Sequence, residues 1–232
     1  MKQKDKITTS QKHHKIKNWL INIAVLMVFL LGLAMLFNQP IQNAWINYQS
    51  KQQYAKIDKK SMQRGAKEHG KYDYSAIKAI DNGVYSNAIK AQNYDAMGKI
   101  EIPAVKMKLP VFKGITNYIL SVGAGTLKPN QVMGGKNNYV LAGHHMQNEK
   151  LVFSPLQKVK KGDLIYLSNA HKQYIYKATN YKIVDEHDIN VIKNYGKKRM
   201  ITLITCATWH TGEQKRIIVT GILVMDGRTP LL

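Results

Sequence analysis

"MITLITCATWHTGEQKRIIVTG", residues 200–221, sets two β-type runs on either side of a polar turn, and the only thiol of the chain, Cys206, ends the first run. Aliphatic and β-branched residues dominate both runs, which predicts two antiparallel strands joined by a loop. A short loop lays the start of the second strand beside the end of the first, so the spacing lets Cys206 and Arg216 meet. Further strand candidates lie outward from this pair: "GKIEIPAVKMKLPVF" (98–112), broken by Pro103 and Pro110, then "NNYVLAG" (137–143), "DLIYLS" (163–168) and "KQYIYKATNYKIV" (172–184). Short helical turns are expected in "YILSVGAGTLKPNQ" and "LVFSPLQKVKKG". Several short strands with small helices in the connections, and no α/β alternation, predict a mainly β fold that closes or nearly closes into a barrel.

The N-terminus has a different character. Residues 2–17 carry six lysines and one acid, Asp5, and are followed by "WLINIAVLMVFLLGLAMLF" (19–37), in which Asn22 is the only strongly polar side chain. Nineteen helical residues span roughly 28 Å, close to the hydrocarbon thickness of a bilayer. A cleaved signal peptide has a shorter apolar core and a small-x-small site, and "MLFNQPIQNA" offers no convincing one. The expectation is an uncleaved transmembrane signal anchor at 19–37 after a basic cytoplasmic tail at 1–18, with the remainder outside the membrane by the positive-inside rule. Residues 38–95, rich in Lys, Gln, Ala and Tyr, read as an extracellular helical stem and linker, with fair helical propensity until Gly65 and with Ile77, Ile80 and Val84 as a short docking stripe. The barrel is expected over 96–228.

The formal charge is +21, from 35 Lys and Arg against 14 Asp and Glu. Such a balance calls for an anionic surrounding. No basic segment is interleaved with stacking aromatics, so nucleic acid is not expected as a partner, and membrane lipids or anionic wall polymers fit better.

A lone thiol outside the cell has no intramolecular disulfide to make and is open to oxidation, so its presence asks for a use. As a nucleophile, Cys206 needs a base or ion-pair partner and a stabiliser for the oxyanion. Of eight histidines, His13 and His14 fall on the cytoplasmic side and His69 in the stem. His171 and His187 read as solvated loop residues, and His210 as exposed near the thiol. His144 and His145 follow a strand and a small-residue turn, a position that aims a side chain at another strand's end; the residues alone leave the choice between them open. Arg216 would offer charge-assisted donors to an oxyanion or a peptide carbonyl. No metal site is expected: HExxH and CxxC are absent and, between 96 and 148, Glu101 is the only acid. "GAG" at 123–125 lacks the third glycine of a dinucleotide turn.

Taken together, "TLITC" (202–206), Arg216 in "KRIIVTG" and the upstream "LAGHH" (141–145) resemble the sortases, class A housekeeping sortases in particular. The likeness runs from about Gly98 to Met225 and extends to the N-terminal anchor. The resemblance implies an eight-stranded sortase barrel with short helices and a cysteine transpeptidase. Cys206 would attack the Thr–Gly bond of an LPxTG-type sorting signal, and the thioacyl enzyme would be resolved by an amine of lipid II or a peptidoglycan cross-bridge. By the same resemblance His144 is the catalytic histidine, Arg216 holds substrate and oxyanion, and Ala142, Ile204 and Thr205 line the peptide groove. Some class A members use calcium held by two acidic loops; here only the loop at Asp185, Glu186 and Asp188 is acidic, so no cofactor and calcium-independent activity are expected. Two other readings compete: a secreted cysteine hydrolase that uses water, and a non-catalytic tethered barrel that binds anionic wall polymer.

Overall fold

The computed structural model describes residues 2–74 and 94–228, and the side chains of 18–74 and 94–227. The expected docking stripe at Ile77, Ile80 and Val84 lies outside the described residues. Two compact units divide at Gln42 and Asn43. The first contains most of helix α1 (Lys2–Ala55), whose apolar side chains, among them Val28, Leu31 and Met35, are exposed. A helix this long and apolar is able to cross a membrane.

The second unit is a closed eight-stranded barrel, as the strand pattern predicts. Its strands are β1 (Gly98–Ile102), β2 (Met107–Phe112), β3 (Ala124–Thr126), β4 (Asn138–Ala142), β5 (Leu164–Ser168), β6 (Gln173–Asp185), β7 (Met200–Cys206) and β8 (Lys215–Arg228). They run in the order β1-β2-β3-β4-β7-β8-β6-β5, with β5 closing on β1. Closure leaves no free edge. Period-two alternation sends Ile100 and Ile102, Tyr139 and Leu141, Ile201 and Leu203, and Ile217 and Val219 into one buried core. Two pairings are parallel, β2 with β3 and β4 with β7. The sequence reading missed β3, whose three residues sit inside the segment expected to be a helical turn. That segment opens with helix α3 (Asn117–Val122), capped by Thr116, whose hydroxyl accepts from the Ile119 N–H at 3.1 Å.

Residues 43–67, which read as stem, contribute to the same unit. Ile46 is buried in the barrel core, while Ile57 and Met62 join a second cluster with Phe112, Ile119 and Val122. Helix α2 (Lys59–Lys67) starts on a capping box between Asp58 and Ser61 and runs through Gly65 rather than ending there. The glycine is required by close approach: a Cβ at Gly65 would lie 2.3 Å from the Asp95 carbonyl oxygen. Helix propensity alone predicts that Gly65→Ala stabilises by about 1 kcal/mol, whereas overpacking against backbone costs about 1–3 kcal/mol. The expected outcome is a lower thermal midpoint; a higher one would refute this packing.

Two described non-glycine residues have positive φ, Lys106 at 53° and Val152 at 49°. This backbone region costs an L residue roughly 1–2 kcal/mol, so the surrounding fold must hold both in place.

Candidate active site

Parallel pairing of β4 with β7 puts the C-terminal ends of both strands on one rim, and antiparallel β8 begins on that rim. The β4–β7 register runs from Asn138 beside Met200 to Ala142 beside Ile204. The Gly143 N–H continues it by donating to the Ile204 carbonyl at 3.2 Å. Carried on to the next residues, this register brings His144 level with Cys206. On the other side of β7, Cys206 pairs with Arg216 and Ile204 with Ile218. Cys206, His144 and Arg216 therefore line one groove of about 520 Å³, together with Ala142, Ile204 and Thr205. All six residues singled out from the sequence meet there.

The histidine segment is fixed by backbone and packing. A Cβ at Gly143 would sit 2.8 Å from Cγ of the fully buried Phe153 ring, so only glycine allows the chain to turn this tightly into His144. The His144 N–H donates to the Leu120 carbonyl of α3 at 3.1 Å, and its carbonyl accepts from the Phe153 N–H at 3.2 Å. The buried Ser154 hydroxyl accepts from the Met146 N–H at 2.7 Å and donates to the Met146 carbonyl at 3.2 Å. His145 bridges Val152 through its backbone, and its Nδ1 lies 2.8 Å from the Cys206 carbonyl oxygen. A carbonyl only accepts, so Nδ1 of His145 carries the proton. The two neighbours thus differ in engagement: His145 is tied to the backbone of β7, while buried His144 has an Nε2 with no hydrogen-bond partner among the described residues.

Burial disfavours charge on both His144 and Cys206. His144 is lowered to about 4 by desolvation. The half-buried Cys206 thiol is raised by desolvation, with Arg216 pulling it down and Glu213 and Glu186 pushing it up. At neutral pH the resting pair is thiol and imidazole.

A stability effect follows from His144. An unfolded histidine takes up a proton as pH falls through 6.5, whereas the folded protein refuses it until about 4, so stability is complete above 6.5 and is lost between those values. That gap corresponds to about 3 kcal/mol. Thermal unfolding of the detergent-solubilised chain at pH 7.5 and pH 4.5 should show this loss, and His144→Asn should lack it; equal losses in both proteins would refute the assignment.

The Arg216 guanidinium donates to Glu186, to the Glu213 carbonyl and, at 3.1 Å, to the Lys215 carbonyl. Glu186 was read from sequence only as part of an acidic loop, and its contact with Arg216 depends on β6 pairing with β8, which sets Val184 beside Arg216. Removing that charge with Glu186→Gln should lower the Cys206 pKa. The pH dependence of iodoacetamide alkylation reads this directly, and an unchanged or raised midpoint would refute the coupling.

Sequence reasoning also missed Leu120 of α3 and Tyr74, both on the groove wall. Tyr74 donates its hydroxyl to the Leu127 carbonyl and comes from the segment read as stem. No local pattern marks either residue, because chain segments far apart in sequence bring them to the rim. Three other histidines are not among the residues lining the groove: His171 is exposed in a bend, His187 contacts the Asp185 carboxylate at 2.7 Å, and His210 lies against Trp209 with its ring tilted.

Known proteins are similar to this chain. Streptococcus agalactiae sortase A is 39% identical over 223 residues, covering 94% of this chain and 90% of that protein. Sortase A of Listeria monocytogenes is 37% identical over 203 residues, covering 85% and 89%. The crystal structure of Listeria monocytogenes sortase A superposes with a TM-score of 0.56 at 42% identity, over 59% of this chain and 92% of that one. The sortase domain profile matches residues 100–224, more than half of the chain and the span that holds Cys206, His144 and Arg216, so this chain belongs to the sortase family.

Proposed function

We propose that this chain is a membrane-anchored cysteine transpeptidase that cleaves an LPxTG-type sorting signal between Thr and Gly and joins the new carboxyl end to a cell-wall precursor amine. The observation that carries the reading is the single groove shared by the only thiol, an unpartnered buried imidazole and an arginine. Cys206 loses its proton to His144, and Sγ attacks the Thr carbonyl carbon. The resulting oxyanion is held by Arg216, which exchanges Glu186 for the substrate. As the C–N bond breaks, His144 returns the proton to the leaving glycine amine, and a thioester remains. An incoming amine then attacks the thioester, gives its proton to His144, and expels the Cys206 thiolate. Ala142 and Ile204, side by side on β4 and β7, floor the groove for the apolar part of the signal. Thr205 is buried with its hydroxyl unpartnered among the described residues, which leaves a hydrogen bond to offer a bound peptide.

Secreted proteins bearing such a signal and lipid II or cross-bridge amines are the proposed partners. Anchoring through residues 19–37, with the barrel outside the cell, confines enzyme and lipid-linked substrates to one surface and raises their effective concentration. Activity is proposed to be independent of calcium. Support comes from the acidic loop itself, where Glu186 is engaged by Arg216 and Asp185 by His187. A several-fold rate increase on adding calcium would overturn that proposal.

The test is mass spectrometry of the full chain incubated with an LPxTG peptide and a glycine-type amine. Ligated product together with a thioacyl adduct on Cys206 supports the transpeptidase. Cleavage insensitive to the amine would make it a hydrolase. With neither product, the tethered polymer-binding barrel would stand.

A further inference from the structure

A second cavity, about 620 Å³, opens on the second unit between the end of α1 and the β1–β2 connection. Lys51, Lys106, Lys108, Lys150 and Lys158 line it against one acid, Glu149. Lys158 is paired with Glu149 and Lys108 with Glu101, while no ion pair among the described residues takes up Lys51, Lys106 or Lys150. Both described non-glycine residues with positive φ, Lys106 and Val152, fall on this cavity. Strained backbone of this kind concentrates at ligand clamps. At Lys106 a glycine would relieve the strain, yet a long cationic side chain occupies the position.

The lining selects the chemistry. Lysine presents a compact charge suited to phosphate oxygens, and no arginine is present to fork a carboxylate. Asn47 and Asn148 add amide donors, and the buried Ile46 and Leu109 at the floor suit glycerol carbons. Lys51 lies fourteen residues after Phe37, the end of the apolar run, so even a fully extended chain keeps it within about 50 Å of the membrane surface.

We propose that this cavity binds the phosphodiester headgroup of an anionic membrane lipid and so docks the catalytic unit on the membrane that anchors it. Its wall includes Val152, whose bridge to His145 leads into the groove, so the occupant lies against the segment that holds the histidines. The inference rests on the outward, membrane-tethered reading of the chain but not on its peptide chemistry. A binding measurement made without substrate therefore separates the two.

The test is lysine footprinting of the full chain in nanodiscs of phosphatidylcholine, alone or with phosphatidylglycerol, using limiting acetic anhydride and mass spectrometry. Lys51, Lys106 and Lys150 should acetylate about fivefold more slowly with phosphatidylglycerol, while exposed Lys198 on the β6–β7 connection keeps its rate. Equal slowing at Lys198 would mean diffuse attraction and overturn the site. Equal protection by millimolar inorganic phosphate in phosphatidylcholine discs would overturn the lipid source in favour of a soluble phosphate. No protection in any arm overturns the proposal outright. Lys106→Gly suits the local backbone, so it should keep or raise the thermal midpoint while weakening protection of Lys51 and Lys150; full protection in that folded variant would overturn the assignment of Lys106.

Discussion

Cys206→Ala is expected to lower ligation of an LPxTG peptide to an amine by about four to six orders of magnitude, with no thioacyl adduct remaining. The size follows from chemistry that no neighbour replaces: Cys206 is the only thiol of the chain, and no other nucleophile ends β7. Folding should be unaffected. The side chain is half-buried at a strand end, outside the core built by Ile201 and Leu203, and alanine keeps the β7–β8 ladder to Arg216. Product quantified by mass spectrometry, beside a thermal unfolding curve, separates the two effects. A folded variant that still ligates within tenfold of the parent would refute covalent catalysis by this residue.

His144→Ala should cost about 10²- to 10⁴-fold in kcat, the range for losing a positioned acid–base group, while His145→Ala should cost about tenfold or less, the worth of one hydrogen bond. Adjacent in sequence, the two rings are separated in role by engagement. Nδ1 of His145 is committed to the Cys206 carbonyl, and His144 lines the groove with an Nε2 that no described residue engages. Loss of His145 would loosen the end of β7, whereas loss of His144 would remove the proposed proton carrier. Steady-state kinetics on both variants decide the matter, and a reversal of the two effects would move the base to His145.

How far the sequence carried these assignments depends on the range over which each cue acts. Strand existence was legible for β1, β2, β4, β5, β6, β7 and β8, because side-chain alternation is a property of a few consecutive residues. The three residues of β3 were too few to show a period and lay in a segment rich in glycine and small residues. Gly65 was read as a helix end on propensity, yet it lies inside α2, and the absence of a side chain there is required by the close approach of Asp95, thirty residues away. Cys206 and Arg216 were legible as a pair because one short loop joins their strands. Glu186, Leu120 and Tyr74 reach the groove only through long-range packing, and nothing in their local sequence marks them.

By itself the sequence determined a membrane-length apolar helix, a mainly β domain and a thiol ending a strand beside an arginine. Each is a local property, fixed by hydropathy, period and loop length. Tertiary structure alone decided which histidine is tied to the β7 backbone and which lines the groove, that residues 43–67 join the barrel unit, and that Arg216 rests on Glu186. These depend on barrel closure and on the parallel register between β4 and β7, whose paired residues lie 62 positions apart. Register at that separation is chosen by the fit of the whole core, where a slip of β4 by one residue would turn Leu141 outward while Leu203 stayed in, and would shift His144 along β7.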